Sequence, residues 1–217
     1  IGSTLHVVTD KPGRITAISD KAETYDYQTC SDGVSLNGSC TEFVNNGKVH
    51  RHDTVATLPI IAQRLLLNRD SKWICKIDCD SYFHGNLFKE IDSWIANCKE
   101  DLILADRTRT DLMKPYGTGL PGAGLLIWRK DGNFVKEYVN QFDGNDQSTV
   151  LNLYMNKSIN CNLIMWPGSH WVYPFTWFEK NGRKFTKHIA DMYIPFYIHV
   201  GGNNQLEQLE TLKGWYE

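Results

Sequence analysis

The chain of 217 residues predicts an α/β fold: one domain, with a mostly parallel central sheet flanked by helices. Three observations carry that expectation. Short apolar runs of strand length alternate with longer stretches at helical spacing. Acids and glycines stand where several of the apolar runs stop. A hydrophobic content of 41% over this length is enough for one sizeable core.

The elements follow in order. LHVVTD, residues 5–10, is an apolar run closed by Thr9 and Asp10, and reads as the first strand. GRITAIS (13–19) offers a second, and residues 26–53, polar and rich in Gly and Asn, read as loop with one or two short strands. DTVATLPIIAQRLLLNRD (53–70) has apolar residues at 55, 58, 61, 62, 65 and 66, which is helical spacing, with Asp53 or Thr54 as cap. WICKI (73–77) is a strand, NLFKEIDSWIANC (86–98) an amphipathic helix, and DLILAD (101–106) a strand. PGAGLLIWRKDG (121–132) reads as loop, strand and turn; NFVKEYVNQF and DQSTVLNLYMN read as helices; IPFYIHVGG (194–202) reads as a late strand. No internal repeat, low-complexity tract or linker divides the chain.

Charge and composition bound the partners. The formal net charge is −2 and Lys and Arg are scattered, so the sequence predicts neither a nucleic-acid surface nor a polybasic membrane arm. No apolar stretch approaches a membrane span, and no signal-peptide pattern opens the chain. Cysteines 30, 40, 75, 79, 98 and 161 match no zinc motif and read as mostly free thiols, which suits a reducing compartment and predicts a cytoplasmic protein. The sequons Asn37-Gly38-Ser39 and Asn156-Lys157-Ser158 weigh little against this, since such tripeptides are common.

The chemistry concentrates at strand ends, where α/β sheets bind ligands. Asp10 follows the first strand, Asp78 and Asp80 follow WICKI, and His199, Gly201 and Gly202 follow the last strand. On an extended segment residues i and i+2 share a side, so Asp78 and Asp80 can face one cation. Hard oxygen ligands suit Mg²⁺ or Mn²⁺, which often complete their shell with phosphate oxygens. The plainer reading is one Asp at a strand end and another capping the next turn. His199 is either a satisfied structural imidazole or a ligand for a metal such as Mn²⁺. The glycines after it let bare amides approach a phosphate.

In the order WICKIDCDSYF, GAGLLIWR, DQSTVLNLYM and HVGG, the chain resembles nucleotide-sugar glycosyltransferases of the GT-A (Rossmann-like) fold, notably the glycogenin-like and galactomannan/xyloglucan transferase families. Its small size also resembles virus-encoded GT-A enzymes of the chlorovirus type. The likeness spans roughly residues 54–202 plus the first strand. It implies a nucleotide-binding part over about 1–106 and an acceptor-side part over about 107–217. It also implies a sugar moved from a nucleotide-sugar donor, UDP-linked, to a glycan or glycoprotein hydroxyl, with Mn²⁺ or Mg²⁺. The implied roles are Asp80 and His199 on the cation, Asp78 on the ribose or the cation, and Val8, Thr9 and Asp10 around the uracil and ribose. Gly201 and Gly202 would pass the diphosphate, Gly122, Ala123 and Gly124 would line the donor sugar, and Asp146 and Gln147 would lie near the anomeric carbon. The pattern departs from the family after His-x-x-Gly, where a Lys is usual and NNQLEQLE stands here. The basic residue on the helix before Asp-x-Asp is assigned to Arg64.

Two features have competing readings. Asp146, with Asp143 as substitute, is a catalytic acid/base candidate, but NDQS also suits a helix N-cap. MWPGSHWVYPFTWF (165–178) is either core or an irregular surface platform on which an acceptor sugar stacks, through Trp166, Trp171 and Trp177. A non-catalytic carbohydrate-binding module would explain the tryptophans without the metal elements. A phosphatase of the haloacid-dehalogenase type also uses Asp-x-Asp, but it needs the motif on the first strand and a later GDxxxD, which this sequence lacks.

Overall fold

The structure is a computed structural model that describes residues 5–9, 22–26, 29, 42–45, 48–51, 53–83, 87–111, 114–165, 170–193, 197–201 and 204–216. Among them, eleven strands and seven helices form. Strands β1 (Leu5–Thr9) and β2 (Ala22–Asp26) pair in parallel, and β3 (Glu42–Asn45) and β4 (Lys48–Arg51) form an antiparallel hairpin. GRITAIS lies outside the described residues. Helix α1 (Asp53–Leu66) leads into β5 (Trp73–Ile77), which turns through Asp78 and Asp80 into β6 (Ser81–Phe83). Helix α2 (Leu87–Asn97) precedes β7 (Leu102–Asp111) and β8 (Lys114–Arg129). Helices α3 (Phe134–Asn140) and α4 (Asp146–Met155) follow, then β9 (Cys161–Ile164) and β10 (His170–Val172). The chain closes with α5 (Pro174–Lys180), α6 (Lys187–Tyr193), β11 (Tyr197–His199) and α7 (Gln205–Tyr216).

The main sheet has seven strands in the order β5-β8-β7-β10-β11-β6, with β9 also paired to β7. The α/β architecture is as expected, but the sheet is mixed. β7 runs parallel to β9 and β10, and β10 parallel to β11, while β5–β8, β7–β8 and β11–β6 are antiparallel. The reason is connection length. β7 and β8 are joined by too few residues for a crossover, so they pair as neighbours in a hairpin. The polar run RTRTDLMKPYGTG hides that hairpin in the sequence, and what reads as a loop before LLIWR is already β8.

Pleating sorts the strand residues onto two faces. Leu102, Leu104, Leu126 and Trp128 point to one core, with Ile74, covered by Ala56 of α1, Phe134 and Tyr138 of α3, and Val150 and Leu153 of α4. Ile103, Ala105, Leu125 and Ile127 point to the other, with Tyr197, covered by Ile91 of α2. A third cluster joins Trp171 and Ile198 to Phe178, Phe185, Ala190 and Leu212 under α5, α6 and α7. The segment read as irregular therefore contains a strand and a helix. Pro174 opens α5 at a position where a missing N–H costs nothing.

Candidate active site

A break in the β7–β8 ladder organises the site. Leu104 pairs with Leu126 but Ala105 pairs with Gly122, so Ala123, Gly124 and Leu125 have no opposite number on β7. Three of the polar groups freed there have partners. Ala123 N–H donates to Gln147 Oε1 at 2.9 Å, and Ala123 C=O accepts from Lys76 Nζ at 3.0 Å. Gly124 C=O accepts from Asp78 N–H and from the Tyr197 hydroxyl, each at 3.0 Å. Gln147 also donates from Nε2 to Pro121 O at 2.9 Å. A second register shift, between Asp106 and Thr108, is pinned by fully buried Asp106, which accepts from Thr118 N–H and from the N–H of Gly119 at positive φ, both at 3.0 Å.

The acids meet His199 through sheet register. β6 and β11 pair antiparallel with His199 opposite Ser81, and Val200 N–H continues the ladder to Asp80 O at 2.9 Å. His199 Nε2 then stands 2.9 Å from Asp80 Oδ1 and 3.9 Å from Asp78 Oδ2. One ligand atom from each of Asp78, Asp80 and His199 lies within 4.8 Å of the others. Two carboxylate oxygens and an imidazole at this spacing could hold a metal ion.

Residues the sequence reading missed complete the shell. Lys76, only 6% exposed, forms an ion pair with Asp78 Oδ1. The strand pattern held the signal: Ile74, Lys76 and Asp78 share one side, and Ile74 faces core, so Lys76 is an ammonium under an apolar surface. Gln205, first residue of α7, donates to Asp80 Oδ2 at 3.0 Å, a contact no local pattern foretells. Tyr173 holds His199 from behind. Its backbone is left-handed at φ 53°, its N–H donates to His199 O at 2.7 Å, and its ring meets the imidazole edge-on at 4.9 Å.

Burial pushes the Asp78 carboxyl up, against the opposing pull of Lys76 and His199. Burial likewise drives the Tyr197 phenol well up, and the Asp78 charge adds to it. The Tyr173 phenol is raised by burial first; Asp80 adds, Arg107 opposes, and Asp78 and Asp146 add again.

The other expected residues divide. Asp146 is 9% exposed, and its Oδ1 accepts from Gln147 N–H at 2.8 Å. It is not the cap of α4: Asn145 is, accepting from Ser148 N–H at 3.1 Å. Asp143 is exposed and binds Ser148 Oγ at 2.6 Å, Thr149 Oγ1 at 3.0 Å and Asn152 Nδ2 at 2.9 Å, so it ties down the helix start. Gly124 abuts the cluster, since a Cβ there would lie 3.2 Å from both Asp78 Oδ2 and His199 Nδ1. Gly201 is buried against the Tyr173 ring. Val8 and Thr9 end β1, opposite Tyr25 and Asp26; Asp10 and Gly202 lie outside the described residues. Arg64 sits apart. It is exposed in the last turn of α1, beside Gln63, which bonds Lys130 O at 2.6 Å where β5 begins, whereas Asp78 stands where β5 ends. Trp171 is fully buried and shows no face to an acceptor, which corrects its reading as a platform; Trp177 is half-buried, and Trp166 lies outside the described residues.

Comparison with solved structures decides the fold. The chain is built like a glycosyltransferase. The crystal structure of mouse xyloside xylosyltransferase 1, apo form, matches over 93% of this chain and 84% of that one, with a TM-score of 0.58 and 13% identity. At that identity the likeness speaks for the fold, and it supports the GT-A architecture expected from the sequence. No family model matches the chain, and no curated protein matches it. Among the described residues, no helix is long and apolar enough to cross a membrane.

Proposed function

We propose that this chain is a divalent-metal-dependent glycosyltransferase that moves a sugar from a UDP-linked donor to a hydroxyl of a glycan acceptor. The observation that carries the reading is the convergence of Asp78, Asp80 and His199 beside the Gly122–Ala123–Gly124 break, on a fold shared with a xylosyltransferase.

Asp80 and His199 would hold the cation, Mn²⁺ or Mg²⁺, with Asp78 Oδ2 turned toward the same point. When bound, such an ion supplies Lewis-acid neutralisation of a diphosphate leaving group, worth several kcal/mol in this kind of reaction. Gly124 leaves room beside the acids, and Gly122 to Gly124 offer backbone on which the donor sugar rests. Gly201 and Gly202 would carry the diphosphate, and Val8, Thr9 and Asp10 would recognise the base and ribose. In transfer, the acceptor oxygen bonds to the anomeric carbon, the bond from that carbon to the diphosphate oxygen breaks, and UDP departs with its electrons. In an inverting course, the acceptor's proton passes to the Asp146 carboxylate.

The test is a thermal-shift series with UDP. Stabilisation should be large in Mn²⁺ and small in EDTA, and Asp80→Ala should erase the difference. UDP stabilising the mutant as well as the wild type would overturn the metal assignment.

A further inference from the structure

Resting on the reading above, we infer that Lys76 is the site's resident cation, keeping affinity for a divalent ion low until a nucleoside diphosphate supplies the missing negative charge. The two oxygens of Asp78 are divided between partners. Oδ1 is held by the Lys76 ammonium, which is also fixed by Ala123 O at 3.0 Å; Oδ2 alone faces His199, at 3.9 Å. Asp80 is likewise divided, with Oδ2 on Gln205 and Oδ1 on His199.

The charge count follows. Asp78 and Asp80 contribute two negative charges and Lys76 one positive, so the cluster presents one net negative charge to a dication. Lys76 cannot swing away. It is 6% exposed, on a core strand, with both of its bonds to groups of the site itself. A buried ammonium repels a dication through medium far less screening than water. Mg²⁺ surrenders its water reluctantly and is commonly bound through one or two carboxylates together with substrate phosphates. A diphosphate brings the negative charge that Lys76 cancels. Ion and nucleotide then each raise the other's affinity by the same factor, because coupling between two binding equilibria is reciprocal. Lys76 has a second effect: without it, two adjacent carboxylates would repel one another with only His199 between them.

The experiment measures Mn²⁺ binding by electron paramagnetic resonance of the free ion, with and without UDP. It compares wild type, Lys76→Gln and Lys76→Arg. Gln keeps an N–H donor near Asp78 and Ala123 but removes the charge; Arg keeps the charge. In wild type, Mn²⁺ alone should bind weakly and UDP should tighten it strongly. In Lys76→Gln, Mn²⁺ alone should bind at least about tenfold tighter, with the UDP enhancement reduced by the same factor. Lys76→Arg should behave as wild type. Unchanged or weaker Mn²⁺ binding in folded Lys76→Gln overturns the inference. Should Lys76→Gln not fold, Lys76→Met carries the test through melting. A larger Mn²⁺ stabilisation than in wild type supports the resident-cation role, and an equal or smaller one overturns it. Failure of the functional reading looks different: wild type would then bind no UDP in Mn²⁺, whatever Lys76 does to the ion alone.

Discussion

Lys76 and Gln147 grip the same residue from two sides: Lys76 donates to Ala123 O at 3.0 Å, and Gln147 Oε1 accepts from Ala123 N–H at 2.9 Å. A residue cut out of its ladder is thereby held as firmly as one inside it. Gln147→Ala should cost about 1–3 kcal/mol for each buried group left unpaired, which here means Ala123 N–H and Pro121 O. Gln147→Glu keeps an acceptor for Ala123 N–H but turns a carboxylate oxygen onto Pro121 O and adds a charge beside Asp146, so it should cost at least as much. Urea melts of the two variants check this. Equal stabilities for wild type and Gln147→Ala would mean that water replaces the amide.

Asp146 is freed from one competing explanation, because Asn145 caps the helix. Asp146→Asn keeps the shape and the acceptor for Gln147 N–H, so melting should change little. Sugar transfer should fall about 10²–10⁴-fold if the carboxylate moves a proton, with UDP binding retained. Asn145→Ala is the complement, expected to cost roughly 1 kcal/mol of stability with turnover intact in the folded protein. Turnover measured with a working acceptor distinguishes them; wild-type rates in Asp146→Asn would remove Asp146 from the chemistry.

The strand-end acids were legible because composition breaks there: an apolar run stops and two carboxylates follow. Helices α1 to α4 were legible from their apolar spacing and turn punctuation. The β7–β8 hairpin was not, since its outer half is polar and its inner half is glycine-rich, and neither alternates. Lys76 was readable in principle, as a charge on the core side of WICKI, but a lone Lys in a strand usually snorkels to solvent. Gln205 and Tyr173 were beyond local reading. Their roles arise only when register sets β11 against β6 and α5 behind it. Trp171 shows the same limit, for density of aromatic residues does not say which of them face inward.

Two glycines at the site predict different damage when a methyl is added. At Gly124 the new Cβ would lie 2.9 Å from the Tyr197 hydroxyl and 3.2 Å from Asp78 Oδ2 and His199 Nδ1. Gly124→Ala should cost about 1–3 kcal/mol and weaken Mn²⁺ binding, because Asp78 and His199 must yield along with the Tyr197 hydroxyl. At Gly201 the Cβ would fall 2.2 Å from Tyr173 Cδ1, so the ring must leave His199. Gly201→Ala combined with Tyr173→Ala should therefore destabilise less than the sum of the two single changes. Additive melts would place the clash elsewhere.

The aromatic segment separates into core and surface by the same kind of measurement. Trp171 is 0% exposed and packs edge-on against Phe185 at 5.0 Å and Phe178 at 6.3 Å. Trp171→Ala should cost about 3–5 kcal/mol, as expected for emptying a large buried site. Trp177 is half-buried, with the Lys180 ammonium 5.4 Å from its ring centroid, a contact worth at most about 1 kcal/mol where water has access. Trp177→Ala should leave the fold and UDP binding close to wild type. If its ring carries an acceptor sugar, KM for the acceptor should rise while kcat at saturation holds, since binding made equally in ground and transition states changes KM alone. An unchanged acceptor KM in Trp177→Ala would move the acceptor to another surface.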